Sequence, residues 1–147
     1  MAAVTGTTLM TSYSYALSSI KDRNFREPEL LGNMLWKLAP AINKKPAWIT
    51  GWLLHYTIGV VFTTIYNRLV KKYRPGPSVK SQIVIGLITG LAAIAGWHIT
   101  KGIHPDPPNI NYKKFYGQLL IAHIIFAIVA ISILRKYSER EQLRHYR

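Results

Sequence analysis

No Asp, Glu, Lys or Arg occurs from Met1 to Ile20, from Pro46 to Asn67, from Ser81 to Thr100 or from Phe115 to Leu134. These windows hold 20, 22, 20 and 20 residues, and all 19 basic and six acidic side chains lie between or after them. At 1.5 Å of rise per helical residue each window reaches roughly 30 Å, the hydrocarbon thickness of a bilayer. A helix with one face in water breaks its apolar run with charge every turn or two. Four uncharged windows of nearly one length are hard to obtain that way. The expectation is an all-α integral membrane protein, a single domain over residues 1–147. Its four-helix bundle is built from two helical hairpins, with spans at about 1–20, 46–68, 80–101 and 115–135.

The windows differ in character. The last three are strongly apolar, and the second carries Trp48 and Trp52 at one end and Tyr66 at the other, as rings at headgroup level would be. The first, "MAAVTGTTLMTSYSYALSSI", is rich in Ser and Thr and only weakly hydrophobic. It lacks the charged start of a secretory signal. It is expected to be a retained span packed inside the bundle, its hydroxyls bonded to backbone or neighbours; an interfacial helix is the alternative. Between the first two windows, Leu30, Leu31, Met34, Leu35 and Leu38 mark one face of a short amphipathic helix at about 28–39. Pro28 suits its first turn, and Glu27 and Glu29 its positive end. It lies either on the membrane surface or against the end of the bundle. After the second span, Pro75, Gly76 and Pro77 reverse the chain within a basic, acid-free turn. Three prolines stiffen "KGIHPDPPNINYKK", and residues 136–147 form a charged tail, either a helix extension or a frayed end.

Charge sets the partners. A net charge of +13 admits nucleic acid in principle, but the basic residues sit mainly beside the spans. A lipid bilayer with anionic headgroups is the simpler partner, with a homo-oligomer or larger membrane complex as candidate assemblies and no nucleic acid. With four spans, the two termini and the middle turn share one side and carry ten Lys/Arg against nine on the other. The acid-free middle turn tips the reading towards cytoplasmic termini. There is no cysteine, so disulfides and thiolate chemistry are excluded.

Three histidines, His55, His98 and His123, lie on three different spans in the leaflet that faces the first and third loops. By helical rise His55 and His123 are roughly 12–14 Å deep and His98 about 3 Å. They are candidates for a polar or ligand cluster: a proton relay, a headgroup or quinone pocket, or a haem or metal site. The plainer alternative is a neutral ring on each helix bonded to a neighbouring carbonyl or hydroxyl. Gly51, His55, Gly59 and Thr63 recur every four residues, and Gly86 and Gly90 form a G-x-x-x-G pair, with Ala92 and Gly96 as a second small pair. Small residues let helices approach closely in lipid, so Gly51, Gly59, Gly86 and Gly90 are expected at helix contacts. His55 with Gly59, and His123 with Ala127, suggest that the second and fourth spans are duplicates.

"GTTLMTSYSY", "FREPELLGNML", "GWLLHYTIGVVFTTIY" and "AHIIFAIV" together resemble the YagU-like group of small bacterial inner-membrane proteins. That resemblance implies a multi-pass protein of the bacterial inner membrane and brings no catalytic residues. Ala127 departs from the group's His-x-x-x-Gly pattern. No phosphate loop, His-Glu-x-x-His or nucleophile elbow occurs, and the acids lie outside the windows. The expected function is an accessory or structural membrane protein of the cell envelope, not an enzyme, with no cofactor and no metal. A small permease or channel-like oligomer with a His-lined site is the first alternative, and a haem- or quinone-associated membrane subunit the second.

Overall fold

The computed structural model describes residues 1–21, 24–39, 41, 43–73 and 76–145. The chain is all-α, with five helices among the described residues: α1 (Ala2–Lys21), α2 (Glu27–Leu38), α3 (Lys44–Lys72), α4 (Val79–Ile103) and α5 (Tyr112–His145). No strand occurs among the described residues. Three helices, α3, α4 and α5, are long and apolar enough to cross a membrane. α1 has the length but not the hydropathy, because hydroxyls replace aliphatic side chains along it.

The last three helices outrun their uncharged windows at both ends. α3 begins at Lys44 and takes Pro46 into its first turn, where the missing N–H has no intrahelical acceptor to serve. α5 continues through the charged tail to His145; Tyr146 and Arg147 lie outside the described residues. In the middle turn Gly76 has φ +98°, a conformation that side chains with a Cβ rarely adopt. Pro75, its partner in the expected reversal, lies outside the described residues, as does Pro40 after α2. The Arg135 guanidinium donates to Pro77 O at 3.2 Å, and the Gln82 amide donates to the same carbonyl at 3.1 Å. The turn is thereby fastened to α4 and α5.

α5 is the axis of the fold. α1, α3 and α4 all pack on it, and α1 also packs on α3. Phe115, Leu119, Ala122, Phe126, Ala127, Ala130 and Ile131 of α5 are almost wholly buried. The opposite surfaces of α3 and α4 are apolar and exposed: Leu53, Val61 and Ile65 on one, Ile88, Leu91 and Ile99 on the other. An apolar outside around a partly polar inside reverses the order of a water-soluble bundle.

Glycines set the closest approaches. On α3 the buried stripe is Ala47, Gly51, His55, Gly59, Thr63, Tyr66 and Val70. A Cβ on Gly51 would strike the backbone of α2 at Pro28 and Gly32, and one on Gly59 would strike the Thr7 hydroxyl of α1. Gly86 lies against the α5 backbone, with Ile124 Cα 2.6 Å from where its Cβ would be, and Gly90 lies against Leu120 and His123. The second small pair behaves otherwise. Nothing stands within 4 Å of a Cβ on Gly96, so this position is open space rather than a helix contact. Tyr66, read both as a ring at headgroup level and as a continuation of the small-residue side, lies in that buried stripe, and its hydroxyl bonds to Thr89 at 2.8 Å.

α2 does not lie free. It docks along α3 through Gly32 and Gly51, burying Pro28, Leu30 and Met34. The third loop is clipped to it. His104 Nε2 donates to Met34 O at 3.0 Å, its Nδ1 accepts the Asp106 N–H, and Lys37 pairs with Asp106 at 2.8 Å. Two substitutions test the glycine contacts. Gly86→Leu should destabilise by about 1–3 kcal/mol through forced separation of α4 and α5. Gly117→Ala, where nothing lies within 4 Å, should gain about 0.5–1 kcal/mol of helix propensity. Thermal midpoints in a non-ionic detergent check both, and equal midpoints for the pair would refute the assignment.

Candidate functional site

A cavity of about 290 Å³ opens inside the fold. Its floor is Leu119, His123 and Phe126 of α5. One wall is α3, with His55, Ile58 and Phe62; the other is α4, with Ala93, Gly96, Trp97 and Thr100. Thr7 and Met10 of α1 and Glu27 and Leu31 of α2 complete it. The space exists because α3 and α4, joined by the short middle turn, do not stay together. Near the turn the Tyr66 hydroxyl donates to Thr89, whose own proton goes to Ile85 O at 2.9 Å. Beyond that bridge α3 and α4 share no extensive contact, and α5 shows between them. Ile58, Ala92 and Gly96 line the cavity and are also exposed, so its mouth lies on the outer apolar surface.

The histidines separate into two kinds. His55 and His123 are 7% and 4% exposed and line the same cavity. His98 is exposed on the far side of α4 and does not line it; the neighbouring Trp97 does. The partners of the buried rings fix their tautomers. His123 Nδ1 lies 2.9 Å from Leu119 O, an acceptor only, so Nδ1 carries the proton and Nε2 keeps its lone pair. Thr11 gives its hydroxyl proton to Thr7 O at 2.7 Å and so must accept from His55 Nε2 at 2.9 Å. In its neutral form His55 then keeps the lone pair on Nδ1. Both imidazoles are therefore held by their donor side. No group of three or more His, Asp or Glu side chains among the described residues is arranged to hold a metal ion.

The hydroxyl stripe of α1 explains how these groups are held. Thr7, Thr11, Ser14 and Ser18 are buried at spacings of four, three and four, which is one face of a helix. Thr11 and Ser18 each donate to the carbonyl four residues back at 2.7 Å. Each oxygen remains free to accept: Thr11 from His55, Ser18 from the Phe25 N–H at 3.0 Å. Ser14 instead points at a residue that sequence reasoning set aside.

That residue is Glu27, assigned above to the positive end of a surface helix. It is 2% exposed, beneath α1 and α5. Its Oε1 accepts from the Ser14 hydroxyl at 2.9 Å and the Gln118 amide at 3.0 Å, and Gln118 also donates to Ser14. Its Oε2 has no partner, nor has Gln118 Oε1 nearby. Glu29, Asp106 and Glu139 each pair with a cation, whereas Glu27 has no ion pair among the described residues. Removal from water pushes the Glu27 carboxyl up to about 7, against the opposing pull of the Gln118 amide, its own backbone and the Ser14 hydroxyl. A signal was present: Glu27, Leu30 and Met34 fall at i, i+3 and i+7, which puts the carboxyl on the apolar face of α2.

No protein-family model, curated protein or solved structure matches the chain. The likeness to the YagU-like group therefore rests on the quoted motifs alone.

The position of Glu27 has a stability consequence. The folded protein keeps this proton up to about pH 7, while an unfolded carboxyl loses it near 4.5. Between those values the folded state binds more protons, so stability falls as pH rises and levels off above about 7. The span corresponds to about 3 kcal/mol. Glu27→Gln should abolish that pH-dependent part and raise the midpoint at pH 8. Thermal melts of both proteins from pH 5 to 8 check this, and parallel curves would refute it.

Proposed function

We propose that this chain is an accessory or structural protein of a bacterial cell envelope, multi-pass in the inner membrane, with both termini in the cytoplasm. α1, α3, α4 and α5 are its four spans, in two hairpins, and α2 caps the bundle at the end facing the first and third loops. The observation that carries this reading is the inside-out distribution of side chains: aliphatic residues exposed on α3 and α4, hydroxyls buried on α1. α1 packs on α3 and α5, and on its buried stripe Thr11, Ser14 and Ser18 are hydrogen-bonded. Of its exposed hydroxyls, Ser19 returns its proton to the helix's own backbone and Thr8 bonds to Tyr56, which lowers the cost of keeping such a helix in lipid. The basic turns would lie against anionic headgroups. The motif likeness to the YagU-like group points the same way.

A second reading is favoured by the cavity. A small permease or ligand-binding bundle would need a polar site reached from the bilayer, and His55, His123 and Glu27 around one laterally open space fit that description. Haem or quinone association is a further form of this reading: His123 gives its Nδ1 proton to a carbonyl and keeps the Nε2 lone pair, the state of a ligating imidazole, whereas His55 spends Nε2 on Thr11.

The absence of cysteine makes topology directly testable. Single cysteines at Lys72 and Arg140 should react with a membrane-impermeant maleimide only after the inner membrane is opened. Cysteines at Asn43 and Asn109 should react before it. If the Lys72 and Arg140 positions label from opposite sides, the four-span reading fails.

A further inference from the structure

We infer that the cavity between α3 and α4 is a binding site for a lipophilic amine, an apolar body carrying a protonated primary or secondary nitrogen, with Glu27 as its counter-charge. This rests on the second reading above, that the bundle holds a ligand site. Its failure would leave the labelling pattern of the spans untouched.

Four observations converge on that chemistry. First, the polar atoms left over around the cavity are acceptors, apart from the Thr7 hydroxyl, which can donate or accept. His123 Nε2 and His55 Nδ1 keep lone pairs once their other nitrogens are bonded, and the buried Glu27 Oε2 and Gln118 Oε1 have no donor. A ligand that completes them must bring N–H or O–H groups. Second, Glu27 is a buried acid with no ion pair among the described residues, in a chain of net charge +13; the adjacent Arg26 turns to Glu29 and the Tyr15 ring instead. A carboxylate out of water calls for a positive partner, and no described cation is paired with this one. Third, Phe62, Trp97 and Phe126 stand around the space, and aromatic faces attract a desolvated cation. Fourth, the mouth lies among exposed Ile58, Ala92 and Gly96, so the approach is from an apolar phase. A small cavity with apolar walls and a few convergent polar atoms is the usual form of a small-molecule site.

Binding competes with a proton. The ammonium needs Glu27 ionised, and burial holds its carboxyl proton up to about pH 7, so affinity should rise across that pH. The other ionisable groups near Glu27 are Tyr13 and Tyr15 on α1, Arg26 and Glu29 on α2, and His55 and His123 on the cavity wall and floor. α4 contributes Trp97 and Thr100 to the cavity, neither of which titrates. Of these, imidazole is the other type whose ordinary value lies near neutrality.

The experiment is calorimetric titration of the full chain in zwitterionic nanodiscs, with empty nanodiscs subtracted. The probe is 4-phenylbutylammonium, and the neutral control is 4-phenylbutanol. The amine should bind about tenfold more tightly at pH 8 than at pH 6, as the ionised fraction of a carboxyl titrating at about 7 dictates, and at least tenfold more tightly than the alcohol at pH 8. Glu27→Gln, which keeps an acceptor for Ser14 and Gln118, should lose both differences while its thermal midpoint at pH 8 is no lower than that of the unaltered protein. His123→Gln should bind more weakly and keep the pH dependence. Gly96→Leu, at a position with room for a side chain, should block the cavity and cost at least tenfold in affinity; it decides the matter if Glu27→Gln does not fold. Equal binding of amine and alcohol, unchanged binding in the Gln or Leu variant, or a pH dependence that leaves with His123 instead of Glu27, would each overturn the assignment.

Discussion

A polar group that turns away from water must find its partner inside the protein, and here the outer surface of α3 and α4 is aliphatic. That requirement organises the bundle. α1 meets it by returning Thr11 and Ser18 protons to its own carbonyls, which leaves the hydroxyl oxygens as acceptors for neighbouring helices. The His55 ring and the Phe25 amide are the donors that answer them. One face of a helix rich in Ser and Thr thus becomes an inner lining, and the polarity of that face serves as an adhesive rather than a penalty.

Close backbone approach supplies the rest of the geometry. Gly32 against Gly51 seats α2 on α3, and that seating carries Glu27 under α1 and α5. Gly86 and Gly90 let α4 lie directly on the α5 backbone around His123. The buried acid and the two buried rings are therefore positioned by helix packing, not by flexible loops. His104 and the Lys37–Asp106 pair reinforce the same end of the molecule by fastening the third loop to α2.

The sequence made the helices legible because charge placement is a strong signal: apart from Met1, every uncharged window lies within one helix. The four-residue recurrence of Gly51, His55, Gly59 and Thr63 likewise reads directly as a stripe, since small residues let apolar helices approach closely. Depth along a helix was less informative than azimuth. His98 was expected at the same side as His55 and His123 yet points outward, and Tyr66, at the end of its window, turns inward to Thr89. Ala92 and Gly96 mimic a contact pair but border empty space, because small side chains suit a cavity wall as well as a helix seam. Glu27 escaped because a carboxylate in a helix's first turn has a sufficient local explanation. Its place on the apolar face of α2 was the local signal, and the partners that receive it, Ser14 and Gln118, lie 13 and 91 residues away.

The divergence of α3 and α4 has a mechanical meaning. α4 finds its extensive packing on α5 alone, whereas α1, α3 and α5 brace one another and α2 clasps α3. The molecule is a braced tripod with one outrigger, tethered beside the middle turn by Gln82 and Tyr66 and held further along by Trp97 against Phe115 and Lys101 over the Tyr112 ring. The enclosed volume is therefore set by how one helix seats on α5, while His55, His123 and Glu27 belong to the others.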